Sequence, residues 1–152
     1  MLHFVLFLNK QLQTRFARYY DSHMDLEERP AFEQQLALLC ARRKAQASFF
    51  LDYEDYRIAY RPYGGLYVIF GFDRHENEFG MLELIQNFME VLNKHFDNVT
   101  ELDVIFNHMR IHLILDEMIL DGTIVETSQS RILAPVVARE HERASKREAR
   151  VM

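Results

Sequence analysis

The chain has 152 residues, 49% of them hydrophobic and 27% charged, with a formal net charge of −5. That length fits one domain, which buries about 70% of its unfolded surface and needs neither metal nor disulfide to hold a core. The acidic balance argues against nucleic acid or anionic lipid as the main direct partner. The single cysteine, Cys40, rules out an internal disulfide and suits a reducing cytosol.

The first ten residues, MLHFVLFLNK, are apolar but lack the basic region and small-residue cleavage site of a signal peptide. No apolar run approaches the roughly 20 residues of a membrane span. Residues 2–8 therefore read as a central strand buried on both faces, residues 9–13 as a turn, and residues 15–20 as a second strand of a hairpin. Asp25, with Glu28 three residues on, is the expected cap of a helix over 26–42, with Pro30 near its first turn. Phe32, Leu36, Leu39 and Cys40 form its apolar face, so Cys40 is expected to be a buried, inert thiol.

Segments 48–52, 56–61 and 66–72 read as three more strands, and their short connections favour antiparallel hairpins. A helix is expected over 78–96. Its polar residues Glu83, Gln86, Asn87, Glu90, Asn93 and Lys94 fall on one narrow stripe, which leaves a wide apolar arc. Thr100 and Asp103 are placed to cap further short helices over 101–121 and 128–137, with Gly122 as a helix stop. Residues 138–152 hold five basic and three acidic side chains and almost no apolar periodicity, so they read as a charged tail, either a frayed, solvated helix or flexible, with a docking tail as the sharper alternative. The order predicts an α+β fold: a five-stranded antiparallel sheet flanked by helices.

The chemistry of common enzymes is not in the sequence. There is no nucleophile elbow, Walker motif, dinucleotide fingerprint or zinc-protease helix. Gly64-Gly65 has no following lysine or helix start and reads as a tight turn. His108, His112 and Asp116 share one helix face at steps of four, but no second ligand set accompanies them, so no metal site and no cofactor are expected.

Five segments carry a family resemblance: NKQLQTRFARYY (9–20), YRPYGGLYVIFGFD (60–73), NEFGMLELIQNFMEVLNKHF (77–96), NVTELDVIFN (98–107) and ILDEMILDGTIVETSQSRIL (114–133). Taken in register, they resemble the small, or sigma, subunit of the heterotetrameric adaptor complexes of vesicle traffic. The resemblance implies a sigma-adaptin longin-like domain over residues 1–137, followed by the tail at 138–152. It implies no enzyme activity. Its expected partners are two large subunits and one medium subunit, and its expected place is the cytosolic face of Golgi, endosomal or plasma-membrane coated vesicles. It also implies recognition of acidic dileucine signals, [DE]-x-x-x-L-[LI], in transmembrane cargo.

The family crevice falls here on Gly64, Leu66, Met89, Val99 and Val104. Asn98 is expected to bond the peptide backbone, and Arg15 to meet the signal's acidic residue. Three positions depart from the family pattern. Leu12 stands where the first turn usually has glycine, Pro62 replaces a polar or basic residue, and Gly64 an alanine-like one. Gly64 widens the crevice and Met89 narrows it. The run RILAP (131–135) resembles the fourth, non-clathrin adaptor type, whereas ETSQ (126–129) resembles the clathrin types, so the type stays open. A purely structural subunit with a closed crevice is the competing expectation.

Overall fold

The computed structural model describes residues 1–21, 24–43 and 49–151. Strands β1 (Leu2–Asn9) and β2 (Thr14–Tyr19) form the first hairpin, and helix α1 (Arg29–Arg42) follows. Strands β3 (Phe50–Tyr53), β4 (Tyr56–Tyr63) and β5 (Leu66–Asp73) complete one five-stranded sheet in the order β2-β1-β5-β4-β3. Every pairing is antiparallel. Residue 48 of the expected third strand lies outside the described residues.

Side chains alternate across the sheet. Phe4, Leu6, Leu8, Ile58 and Ile69 point to one face, where Phe32, Leu36, Ala37 and Cys40 of α1 cover them. Val5, Phe7, Ala59, Val68 and Phe70 point to the other. That side is covered by α2 (Glu78–Phe96), α4 (His108–Met118) and α5 (Gln129–Val151), with Val104 from the short α3 (Glu101–Phe106). The continuous apolar run at the N-terminus is thus a central strand with both faces buried. Gly71 makes room for it: a Cβ there would sit 2.2 Å from Cζ of Phe4.

Helix α2 keeps its expected bounds for a local reason. The Asn77 side chain accepts the Phe79 N–H at 2.9 Å, and Asp97 ends the helix in a left-handed conformation. Thr100 and Asp103 form a reciprocal capping box on α3.

Four expectations are corrected. Helix α1 starts at Arg29, capped by the backbone of Glu28 without a side-chain bond, so the Asp25 capping box does not form. A start at residue 26 would put Pro30 past the first turn, where its missing N–H orphans a carbonyl. Leu39 is exposed and Ala37 takes its place on the buried face. Gly122 does not stop a helix: α4 ends at Met118, and Asp121-Gly122 turns a two-stranded hairpin of β6 (Ile119–Leu120) and β7 (Thr123–Ile124). Both turn residues have positive φ, 49° and 84°, as that type of tight turn requires. Finally, the last helix does not end at residue 137: α5 continues to Val151, so the tail takes the solvated-helix form of its expected readings. Ile132 and Val136 are buried in the core and Leu133 packs against it, while residues 141–151 are an exposed run rich in good helix formers, Ala, Arg, Glu and Lys.

The three departures each have a structural outcome. Leu12 adopts φ 63°, a region that costs a branched L-residue about 1–2 kcal/mol, and its side chain offsets part of that by packing on the α1-face cluster. Pro62 pairs with Tyr67 of β5. It lies beyond the end of β3, whose pairing with β4 stops at Phe50 opposite Ala59, so this stretch of β4 is an edge that tolerates proline. Gly64 occupies the β4–β5 turn at φ 57° with open space around it.

Candidate functional site

The candidate residues come from four elements. Leu66 opens β5, Met89 lies on the sheet-facing side of α2, Val99 follows α2, and Val104 is the buried residue of α3. The four join one apolar cluster, with exposures of 3%, 6%, 6% and 0%. All four side chains are buried in the core, so the crevice expected from the resemblance is closed here.

The loop over it is held by Asn93 of α2. Its backbone carbonyl accepts the Asn98 N–H at 3.2 Å, and its side-chain carbonyl accepts the Val99 N–H at 3.1 Å. Its side-chain amide donates to the Tyr63 hydroxyl at the end of β4. Asp97 and Asn98 both sit at positive φ, 54° and 71°, a conformation these two residue types tolerate best among non-glycines. Asn98 is exposed at the rim, and Gly64 is exposed in the neighbouring turn. Beside this closed crevice a groove of about 320 Å³ opens between β4 and α2. Phe49, Pro62, Tyr63, Ile85 and Met89 supply its apolar lining, so Met89 belongs to both.

Arg15, on β2, is engaged. Its Nε donates to Glu101 Oε1 at 3.0 Å, and an outer nitrogen donates to Gln13 Oε1 at 2.6 Å. Buried Asn9 donates its side-chain amide to the same two acceptors, each at 2.9 Å. The Asn9 hydrogen bond, and then Arg15, hold the Glu101 carboxyl below its usual range. Arg15 is therefore fixed near the N-terminus of α3, the helix that carries Val104.

Sequence reasoning missed Asn93, Tyr63, Asn9 and Glu101. Asn93 carried a faint signal as the last-turn asparagine on the polar stripe of α2. Glu101 carried one as the first residue after a capping threonine. Neither signal names a partner.

The His108, His112 and Asp116 face does other work. Arg18 donates to His112 Nδ1 at 3.1 Å and to Asp116 at 2.6 Å. Burial, and then Arg18, push the His112 pKa down, and a guanidinium stands where a metal would need to be. Among the described residues no group of three or more His, Cys, Asp or Glu side chains is arranged to hold a metal ion, and no helix is long and apolar enough to cross a membrane. Cys40 is buried, with its thiol pushed up to about 12.

An open five-stranded antiparallel sheet with α1 on one face and the remaining helices on the other defines a longin-like domain. Residues 1–143 match the family of the clathrin adaptor complex small chain, and the chain belongs to that family. It is 44% identical over 137 residues to AP-4 complex subunit sigma-1 of Mus musculus, across 90% of this chain and 94% of the relative. It is 43% identical over 135 residues to AP-4 complex subunit sigma of Arabidopsis thaliana, across 89% and 94%. A chain in a homology model of the full-length AP-3 complex, in a stretched open conformation, superposes with a TM-score of 0.76 at 32% identity, covering 98% of this chain and 99% of that one. The protein is thus a small subunit of the adaptor complexes of vesicle traffic.

Proposed function

We propose that this chain is the small subunit of a fourth-type adaptor heterotetramer, that it stabilises the complex core, and that it recognises acidic dileucine signals. The type rests on similarity to AP-4 sigma subunits from an animal and a plant at 43–44% identity, against 36–38% for sigma subunits of AP-1, AP-2 and AP-3 complexes. Its partners are two large subunits and one medium subunit, through which it sits peripherally on a cytosolic membrane face. Uncovered apolar side chains support the assembly role: Leu102, Phe106 and Met109 are 64%, 77% and 52% exposed on neighbouring turns of α3 and α4. Apolar surface grouped this way marks a protein contact.

The observation that carries the cargo reading is the convergence of Leu66, Met89, Val99 and Val104 on one cluster, with Asn98 and Gly64 at its rim. Two adjacent leucines displacing that packing each contribute about 1.5–3 kcal/mol of burial. Reopening the loop held by Asn93 takes part of this back. An acidic residue on the signal replaces Glu101 as the partner of Arg15, an exposed pair worth about 0–1 kcal/mol. The sum is an affinity on the order of micromolar, raised at a membrane by simultaneous contacts.

The closed state of the crevice favours a second reading, a structural subunit without cargo. Peptide binding to the reconstituted tetramer separates the two. Under the cargo reading Val99→Asp abolishes binding of a dileucine peptide while the tetramer still assembles. Undiminished binding by that tetramer refutes the cargo reading. Co-purification of a large and a medium subunit tests the assembly role, and their identity tests the type.

A further inference from the structure

Between α4 and α5 lies a recess of about 190 Å³ that shares no residue with the crevice. Four arginines line it, Arg110 from α4 and Arg139, Arg143 and Arg147 from α5, against one carboxylate, Glu140. That carboxylate is already engaged: its Oε1 lies 2.7 Å from Arg110 Nε and 3.1 Å from His95 Nε2. Among the described residues, Arg139, Arg143 and Arg147 form no ion pair. Glu142 and Glu148, the other acids of this stretch, do not line the recess.

Arg139, Arg143 and Arg147 follow at steps of four, so they stack on one face of α5. Like charges at that spacing weaken a helix. The favourable interaction of cations with a helix C-terminus accounts for Arg150 in the last turn. It does not reach Arg139, nor Arg110 on the other helix. On a chain of net charge −5, this is a concentrated patch of the opposite sign.

We propose that this recess binds a phosphomonoester anion, gripped by Arg143 and Arg147 with Arg139 and Arg110 at its sides. Planar guanidinium forks match phosphate oxygens in pairs. Leu113 and Ala144 line part of the recess with apolar surface, which strengthens the attraction by lowering the local dielectric. The recess admits a phosphate group and part of its carrier, not a helix or strand of another protein. An anion there also relieves the repulsion along α5.

The test uses the assembled adaptor complex carrying this chain, with R143Q/R147Q as the site variant and R131Q as an exposed control on the same helix. One arm titrates soluble inositol hexakisphosphate. The other sediments phosphatidylcholine vesicles containing either a bisphosphorylated inositol lipid or phosphatidylserine at matched charge. The site variant is expected to lose about tenfold in affinity for the polyphosphate, with R131Q unchanged. An equal loss on the inositol-lipid vesicles alone identifies a lipid headgroup as the source; a loss confined to the soluble arm identifies a free anion. Equal binding by wild type and site variant in both arms overturns the proposal. So does an equal loss in R131Q. Should the site variant not assemble, R143K/R147K keeps charge and helix but removes the forks, and wild-type affinity in that variant also overturns the proposal.

Discussion

The side-chain carbonyl of Asn93 accepts the backbone N–H of Val99 at 3.1 Å. A residue on the polar stripe of α2 thereby fixes one apolar wall of the crevice. The same side chain reaches the Tyr63 hydroxyl, so it ties the loop after α2 to the end of β4. Freeing this loop means breaking both bonds, so Asn93 is the clasp of the loop after α2.

Asn93→Ala removes both side-chain bonds and leaves the Val99 N–H without its acceptor. A loss of about 1–3 kcal/mol follows for bonds of this kind. The sharper readout is amide exchange, because local opening is reported residue by residue. In the variant complex the Val99 amide should exchange much faster, while amides of β1 stay protected. Unchanged protection at Val99 would show that packing alone closes the crevice.

Two glycines of the sheet region should respond very differently to the same change. Gly71→Ala drives a methyl into the Phe4 ring, which is boxed in by Tyr19, Phe32 and Tyr56. Overpacking of this sort costs about 1–3 kcal/mol. Gly65→Ala meets nothing within 4 Å at an ordinary φ, and stays within about 0.5 kcal/mol. Urea denaturation of both variants in the same complex checks the contrast.

Much of this architecture is legible in the sequence, and the reasons differ by element. Residues 2–8 declare a central strand because both faces are buried and no polar alternation is needed. Asn77 and Asp97 mark the ends of α2 because their caps are local. The Asp121-Gly122 hairpin escaped because its strands are two residues long, too short for any periodicity, although the Asp-Gly pair itself signals a tight turn. The exchange of Leu39 for Ala37 on the buried face of α1 depends on where the helix starts, and Pro30 moved that start. The candidate crevice is legible as residue types but not as a state. That Leu66, Met89, Val99 and Val104 are packed beneath a loop tied by Asn93 to Tyr63 involves partners 30 residues apart in sequence, which no local pattern announces.

Stability should fall in mild acid through His112. Its folded pKa is lowered by burial, and then by Arg18, while the unfolded chain titrates near 6.5. Below that value the unfolded state takes up a proton that the folded state refuses, so its population gains. The contribution is complete at neutral pH and is lost as pH falls from about 6.5 towards the lowered value. His112→Gln should flatten this part of the profile in denaturation measured at pH 7.5 and 5.5. An unaltered slope would assign the acid sensitivity to other groups.

Cys40 should be silent to thiol reagents in the folded protein. Burial raises its pKa to about 12, whereas an unfolded cysteine ionises near 8.5. At pH 8 a thiol reagent should label it only after denaturant is added. The linkage follows the same sign: stability from the protonated thiol is full below about 8.5 and declines as pH rises from there towards the folded value. Rapid labelling of the native complex would mean that α1 opens readily from the sheet.

Under the cargo reading proposed above, the Arg15–Glu101 pair sets how the acidic position of a signal is read. Arg15 is held in place by Glu101 and Gln13, so little rotamer entropy is lost when it turns to a ligand, but Glu101 competes for the same guanidinium. Arg15→Ala should weaken an acidic dileucine peptide by no more than about fivefold, the scale of a half-exposed pair. Glu101→Gln should strengthen it by a similar factor, because the competing charge is gone while Asn9 retains an oxygen to donate to. Both effects should shrink in 0.5 M salt, where charges a few ångströms apart at a surface are screened. The discriminating ligand is the same peptide with alanine at its acidic position. If Arg15→Ala weakens that peptide equally, the arginine supports the fold of α3 and does not read the signal.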